Sequence, residues 1–154
     1  MTDREIIAVH MVKSQAKLAA AAGALPVPIL DFVALTGLQY VLVHQLATYY
    51  QVPFYGNRAR ALIGALTGSA VSRGAGWAVL GSVARAIPGV GWLAGWAAMS
   101  ALSAASTYAI GKVFIQHFES GGTLLDFDPD RLRDYYRRHF YDESARSGGS
   151  GKPE

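Results

Sequence analysis

The stretch Ala24–Leu35, "ALPVPILDFVAL", sets two prolines and one aspartate inside an otherwise apolar run. Proline lacks an N–H donor and fixes φ, so neither Pro26 nor Pro28 suits a helix interior. The pair is expected to end one helix and start the next, with Pro28 in the first turn. Asp31 then stands near a helix start, where unpaired N–H groups and the positive dipole end favour a carboxylate. The stretch reads as a sharp hinge between two apolar helices. A second hinge is expected at Ala84–Gly95, "ARAIPGVGWLAG", where Pro88, Gly89 and Gly91 do the breaking and no acid follows. The two hinges hint at a helix–proline–helix duplication.

Outward from the hinges the chain reads as all-α, a compact bundle of about five to six helices whose central members are apolar and Gly/Ala-rich. Asp3–Ala22 is expected as a helix with Thr2 or Asp3 as N-cap and Gly23 as its stop. The second helix should run from about Pro28 to Tyr50, closed by "YQVPFYGN", and Asn57 should cap "RARALIGALTGSAVS". A glycine-marked joint, "RGAG", leads to "WAVLGSVARA". After the second hinge, "WLAGWAAMSALSAASTYAIGKVFIQHFES" is a long core helix and "GGTLLDFDP" a turn-rich connector. Asp128 and Pro129 make a cap and a first helical position for "DRLRDYYRRHFYDESA". The expected organisation is a hydrophobic helical domain over 1–121, a charged C-terminal helix over 122–145 and a flexible tail over 146–154.

Composition narrows the setting. Of 154 residues, 51% are hydrophobic and only 16% charged, against roughly 25% charged in average soluble domains. The mean hydropathy of +0.20 is ambiguous between a soluble and a membrane protein. A net charge of +3 is too small to imply nucleic acid. Between Leu18 and Gly111 the only charged residues are Asp31, Arg58, Arg60, Arg73 and Arg85, an arginine bias expected beside anionic headgroups. The absence of cysteine excludes disulfides and thiol chemistry. "MTDREIIAVHMVKSQAK" has no basic n-region followed by an apolar h-region, so a cytoplasmic start is expected.

At the two hinges the chain resembles the domain-of-unknown-function 697 family. The resemblance is carried by "AAGALPVPILDFVALTGLQYVLVHQLATYYQV" and "ARAIPGVGWLAG...STYAIGKVFIQHFESG", which together span most of Lys17–Gly121. Its specific parts are proline-x-proline, two residues, aspartate and a helix bearing Gln39, then "IPG-x-G" followed by "T-x-A-I-G". The resemblance implies a helical, hydrophobic, membrane-associated module without established catalysis, found fused to or encoded beside Era-like GTPases. This chain has no G-x-x-x-x-G-K-[ST] loop: Gly111-Lys112 lacks the upstream glycine and the following hydroxyl. Any nucleotide role therefore passes through a GTPase acting in trans.

A helix needs ~20 apolar residues to cross a bilayer. Ala86–Gly111 has no charge, and Leu30–Gln51 is a second candidate if Asp31 sits at the interface. Ala61–Ala84 holds Arg73 near its middle, which costs about 2.5–3.5 kcal/mol on insertion scales. Trp77, Trp92 and Trp96 suit interface anchors. Gly64/Gly68, Gly91/Gly95, Ser100/Ala104 and Ser103/Thr107/Gly111 are small-x-x-x-small spacings that allow close helix approach, in lipid or in an alanine-rich soluble bundle.

Few residues suggest chemistry. Asp31 fits a helix-terminus carboxylate better than a proton or cation site or a partner for Arg60 or Arg85. Thr36, Tyr40, His44 and Thr48 recur every four residues as a polar seam, suited to a helix-pair contact or a water-filled cavity. His10, His44, His117 and His139 are scattered, with no H-x-x-x-H or H-E-x-x-H spacing, so no metal is expected. "GVGWLAG" has the wrong spacing for a dinucleotide loop. No catalytic residue and no cofactor is expected. Leu132, Tyr135, Tyr136, His139 and Phe140 form one apolar-aromatic face that either packs back on the bundle or docks a partner.

The leading expectation is a non-catalytic helical module on the inner or cytoplasmic membrane, with cytoplasmic termini and contacts to lipid, to a GTPase or to copies of itself. A soluble oligomeric scaffold is the alternative. A small channel or transporter using Asp31 and His44 is a further one.

Overall fold

A computed structural model describes residues 1–23, 28–69 and 90–148, with 23, 28–32, 90–96 and 148 described by backbone alone. Five helices occur among the described residues: α1 (Asp3–Gly23), α2 (Pro28–Tyr49), α3 (56–69), α4 (Val90–Glu119) and α5 (Pro129–Gly148). The described residues contain no strand, and the all-α expectation holds. Pro26, Pro88, Gly89, Arg73, Arg85, Trp77, the "RGAG" joint and "WAVLGSVARA" lie outside the described residues, as do the side chains of Pro28, Asp31, Gly91, Trp92 and Trp96.

Local chemistry accounts for the helix ends. The Thr2 hydroxyl accepts from the Glu5 amide at 3.2 Å, so Thr2 is the N-cap, and Thr2-x-x-Glu5 has the sequence of a capping box. At the end of α2 the Gln51 amide donates to Thr48 O and the Val52 amide to Ala47 O. Gln51 is in the left-handed region at φ 57°, which makes this a Schellman closure without glycine. The end of α4 repeats the motif with Gly121 at φ 82°, whose amide bonds Phe118 O while that of Gly122 bonds His117 O. The Asp128 carboxylate caps α5 by accepting from the Asp130 amide at 3.0 Å. The expected cap at Asn57 is corrected. The first backbone bond of α3 runs from Ala59 N to Tyr55 O at 2.9 Å, so Tyr55 stands at the cap position and Asn57 is exposed in the first turn.

The 30-residue α4 is about 45 Å long and forms the axis of the bundle. α1 runs antiparallel to it, tied by Ser100 Oγ to Ala20 O at 2.6 Å near one end and by Glu5 to Lys112 at 4.0 Å near the other. α2 runs parallel to α4 and α5 antiparallel, with Phe114 and Phe127 stacked at 4.7 Å. Ala59, Leu62, Ile63 and Leu66 carry α3 into the same core, which also holds Leu42, Leu46, Ile110, Phe114, Leu124 and Tyr136. One pole is therefore formed by the start of α1, the ends of α2 and α4, the start of α5 and the connectors 50–55 and 120–128, and the end of α5 lies away from it.

Two of the small-residue spacings end in opposite settings. Gly111 is buried on α4, and a Cβ there would collide with the side chain of Val12 on α1. Gly64 and Gly68 on α3 have nothing within 4 Å of a Cβ. Gly111→Ala is expected to lose about 1–3 kcal/mol by forcing α1 away from α4. Gly64→Ala is expected to gain about 0.5–1 kcal/mol, because alanine loses less entropy in a helix. Urea midpoints of the two variants, read by helical circular dichroism, should move in opposite directions.

Candidate functional site

Inside the core, one polar link crosses three helices. The Gln39 carboxamide of α2 donates to Ser106 Oγ of α4 at 3.0 Å, and Ser106 Oγ lies 3.1 Å from the Tyr136 hydroxyl of α5. All three residues are buried, Tyr136 completely. Buried polar groups are stable only when paired, so the link fixes the height at which α2 and α5 sit on α4. Burial pushes the Tyr136 phenol up to about 12, against the lowering effect of its bond to Ser106.

The pole carries a second set of contacts, which organise its connectors. Arg58 donates from Nε to Leu124 O and from its guanidinium to Phe127 O, both at 3.2 Å. His117 Nε2 lies 2.8 Å from Thr123 O and 3.5 Å from Asp126. The Thr123 hydroxyl and amide both donate to Asp126, which holds that carboxyl down at about 2. Tyr50 donates to Glu119 at 2.7 Å beneath the Arg4 guanidinium. Its burial, then its bond to Glu119, raise the phenol above its usual range. Gly122 is required here, since a Cβ would strike the His117 ring.

The expected polar seam is divided. Tyr40 is half-buried, edge-on to Phe54 at 5.3 Å, with the Arg60 guanidinium 5.0 Å above its ring. A Cβ at Gly56 would lie 2.6 Å from its hydroxyl. His44 is exposed and edge-on to Phe54 at 4.7 Å, and the Thr48 hydroxyl bonds back to His44 O at 2.9 Å. Thr36 is half-buried. The seam thus meets the 52–56 connector at its middle. His44 and Thr48 also border an open groove of about 700 Å³ between α1 and α2, where Gln15 donates to Gln45 at 3.2 Å.

The face of Leu132, Tyr135, Tyr136, His139 and Phe140 lies on the bundle. Tyr136 is enclosed, while Leu132, Tyr135 and Phe140 pack against the core. His139 sits edge-on to Tyr135 at 4.4 Å, and burial, then the nearby Lys112, hold its imidazole below the ordinary value. Among the described residues no group of three or more His, Asp or Glu is placed to hold a metal. Sequence reasoning missed Ser106 and the Arg58 clasp. Gln39 was a visible signal, as a lone carboxamide in an apolar helix.

Charge is distributed unevenly around the axis. α1 carries Asp3, Arg4, Glu5, Lys13 and Lys17, and α5 carries charges along its whole length, several as i,i+3 pairs such as Arg133–Asp130 at 2.7 Å. On the described parts of α2, α3 and α4 the charges other than Asp31 are Arg58, Arg60, Lys112 and Glu119, all toward the pole. Among the described residues one segment is long and apolar enough to cross a membrane, Ala97–Glu119, with mean hydropathy 1.2. Over half of its most apolar window, 56%, is buried inside the bundle, which is how a core helix behaves.

Residues 2–143 match the family model described as Domain of unknown function (DUF697). Over 137 residues the chain is 37% identical to Magnetosome membrane protein 22 of Magnetospirillum gryphiswaldense, covering 89% of this chain and 70% of that protein. No solved structure matches.

Two outcomes test the buried link. Ser106→Ala leaves the Gln39 amide and the Tyr136 hydroxyl without their shared partner, at an expected cost of about 1–3 kcal/mol in urea denaturation. The raised phenol of Tyr136 favours the folded state below the unfolded tyrosine pKa of 10.0, and this contribution is lost as pH rises toward about 12. Stability should therefore fall across that alkaline window, and Tyr136→Phe should flatten the fall.

Proposed function

The chain belongs to the Domain of unknown function (DUF697) family, and from that premise we propose that it is a non-catalytic, membrane-associated helical module. The observation that carries this reading is the uneven charge around the α4 axis. α5 is charged along its length and α1 carries five charges beside the exposed Ile6, Ile7 and Leu18, whereas the described outer surfaces of α2 and α3 carry no charge beyond the pole. A bundle so divided attaches by one side, with the 103–115 stretch of α4 largely buried in the core. The similarity to Magnetosome membrane protein 22 supports membrane association. The termini and the charged pole then face the cytoplasm, on the inner or cytoplasmic membrane.

The finer part of the reading is the partner. The resemblance to GTPase-associated modules, with no phosphate-binding loop in this chain, supports a GTPase acting in trans at the charged pole. Its connectors are pinned by Arg58, His117 and Asp126, and a fixed loop surface loses little entropy when a partner binds. A soluble scaffold is the second reading, favoured by the burial of α4.

Flotation at neutral pH decides between them. Alkaline extraction is unsuitable, because the buried phenols of Tyr50 and Tyr136 make the fold itself sensitive to high pH. The expressed protein should float with membranes in high salt and need detergent for release. Recovery as a discrete, detergent-free oligomer would establish the scaffold instead.

A further inference from the structure

We propose that the outward face of α2 and α3 is the surface that lies on an anionic lipid bilayer, with Arg60 at headgroup level and Val33, Val41 and Gly64 toward the acyl chains. This deepens the membrane reading above and rests on it.

Val33 and Val41 on α2 are 64% and 45% exposed. Gly37 stands between them at a spacing of four, so the three share one helix face. On α3 the exposed residues Ala61, Gly64 and Gly68 repeat every three to four positions. Tyr40 joins the helices, touching Gly56 and lying under Arg60, so the two faces are neighbours on one side of the bundle. Cβ positions at Gly37, Gly64 and Gly68 meet nothing within 4 Å, so none of the described residues fills the space beside them. A helix face that meets water normally carries charged or polar residues. α5 does so with Arg131, Asp134, Arg138 and Asp142, whereas residues 33–57 contain no Asp, Glu, Lys or Arg.

The surface is graded along its length, which selects the occupant. Its polar members on α2, His44 and Thr48, lie toward the pole, Val33 and Gly37 lie away from it, and Arg60 stands beside Tyr40 between them. Arg60 is exposed, has no carboxylate partner among the described residues, and rests on the Tyr40 ring at 5.0 Å. A cation over an aromatic ring at the edge of an apolar surface matches the headgroup boundary, where both residue types are favoured. The arginine bias between Leu18 and Gly111 supplies the matching sign for an anionic leaflet.

The chain has no cysteine, so single-cysteine variants report one position each. Val41→Cys and Gly64→Cys, labelled with an environment-sensitive NBD probe, should shift to the blue on adding phosphatidylglycerol-containing vesicles. Lys17→Cys and Arg138→Cys should not. Arg60→Gln should weaken vesicle partitioning roughly fivefold at low salt. Gly64→Glu should weaken it about tenfold or more, with a thermal melt no lower than the parent's, because the site is open space and glutamate suits a helix better than glycine. Binding of the unlabelled protein with silent labels at Val41 and Gly64 would overturn the assignment and leave the membrane reading standing. Label shifts that need no vesicles and grow with protein concentration would make this face a contact between copies, which also overturns it. Failure of the unlabelled protein to bind any vesicle would remove the membrane reading, and this inference with it.

Discussion

Everything in the fold follows from covering α4. A 30-residue helix with one internal ammonium, Lys112, cannot stand in water, and its neighbours are arranged around that need. α1 is itself only weakly apolar, so it covers α4 by proximity. Gly111 lets the α1 backbone come close enough for Val12 to seat against it, and Ser100 ties the far end to the Ala20 carbonyl. Lys112 is then matched by Glu5 from α1 at 4.0 Å. That approach turns a helix with the composition of a membrane span into the centre of a bundle.

The same arrangement connects fold to attachment. With α1 on one flank and α5 on another, charges run the length of α5 and gather at Asp3–Glu5, Lys13 and Lys17 on α1, and burying those groups in hydrocarbon would be costly. α2 and α3 lack such charges beyond the pole. On the proposed attachment the molecule resembles a single interfacial helix, with one side of the bundle against the membrane. The unit that meets the membrane on this view is a face made by two helices, with its geometry set by the Tyr40–Arg60 and Tyr40–Gly56 contacts.

Much of this was legible in the residues. Proline and glycine punctuation placed α1, α2, α4 and α5 to within a few residues, because the constraint is local and covalent. Asp128-Pro129 announced its cap for the same reason. Asn57 misled because asparagine favours cap positions in general, whereas this turn is shaped by Tyr40 pressing on Gly56. The small-residue spacings were visible but not their meaning: Gly111 and Gly64 look alike in sequence, and only the presence of Val12 distinguishes them. The Arg58 clasp was illegible, since its acceptors are backbone carbonyls more than sixty residues away.

The buried link among Gln39, Ser106 and Tyr136 gains significance from this division of surfaces. In water, apolar side chains choose the inside because the outside is penalised. If lipid replaces water along α2, as proposed, that preference weakens, since acyl chains accept valine and leucine as readily as the core does. Rotation of α2 about its axis would then cost little in hydrophobic terms. It would still strand the Gln39 carboxamide away from Ser106, in surroundings that offer no substitute donor or acceptor. A directional contact therefore holds the orientation that hydrophobicity alone no longer enforces, and because Tyr136 shares Ser106, the water-facing α5 is tied to the same register as the apolar α2.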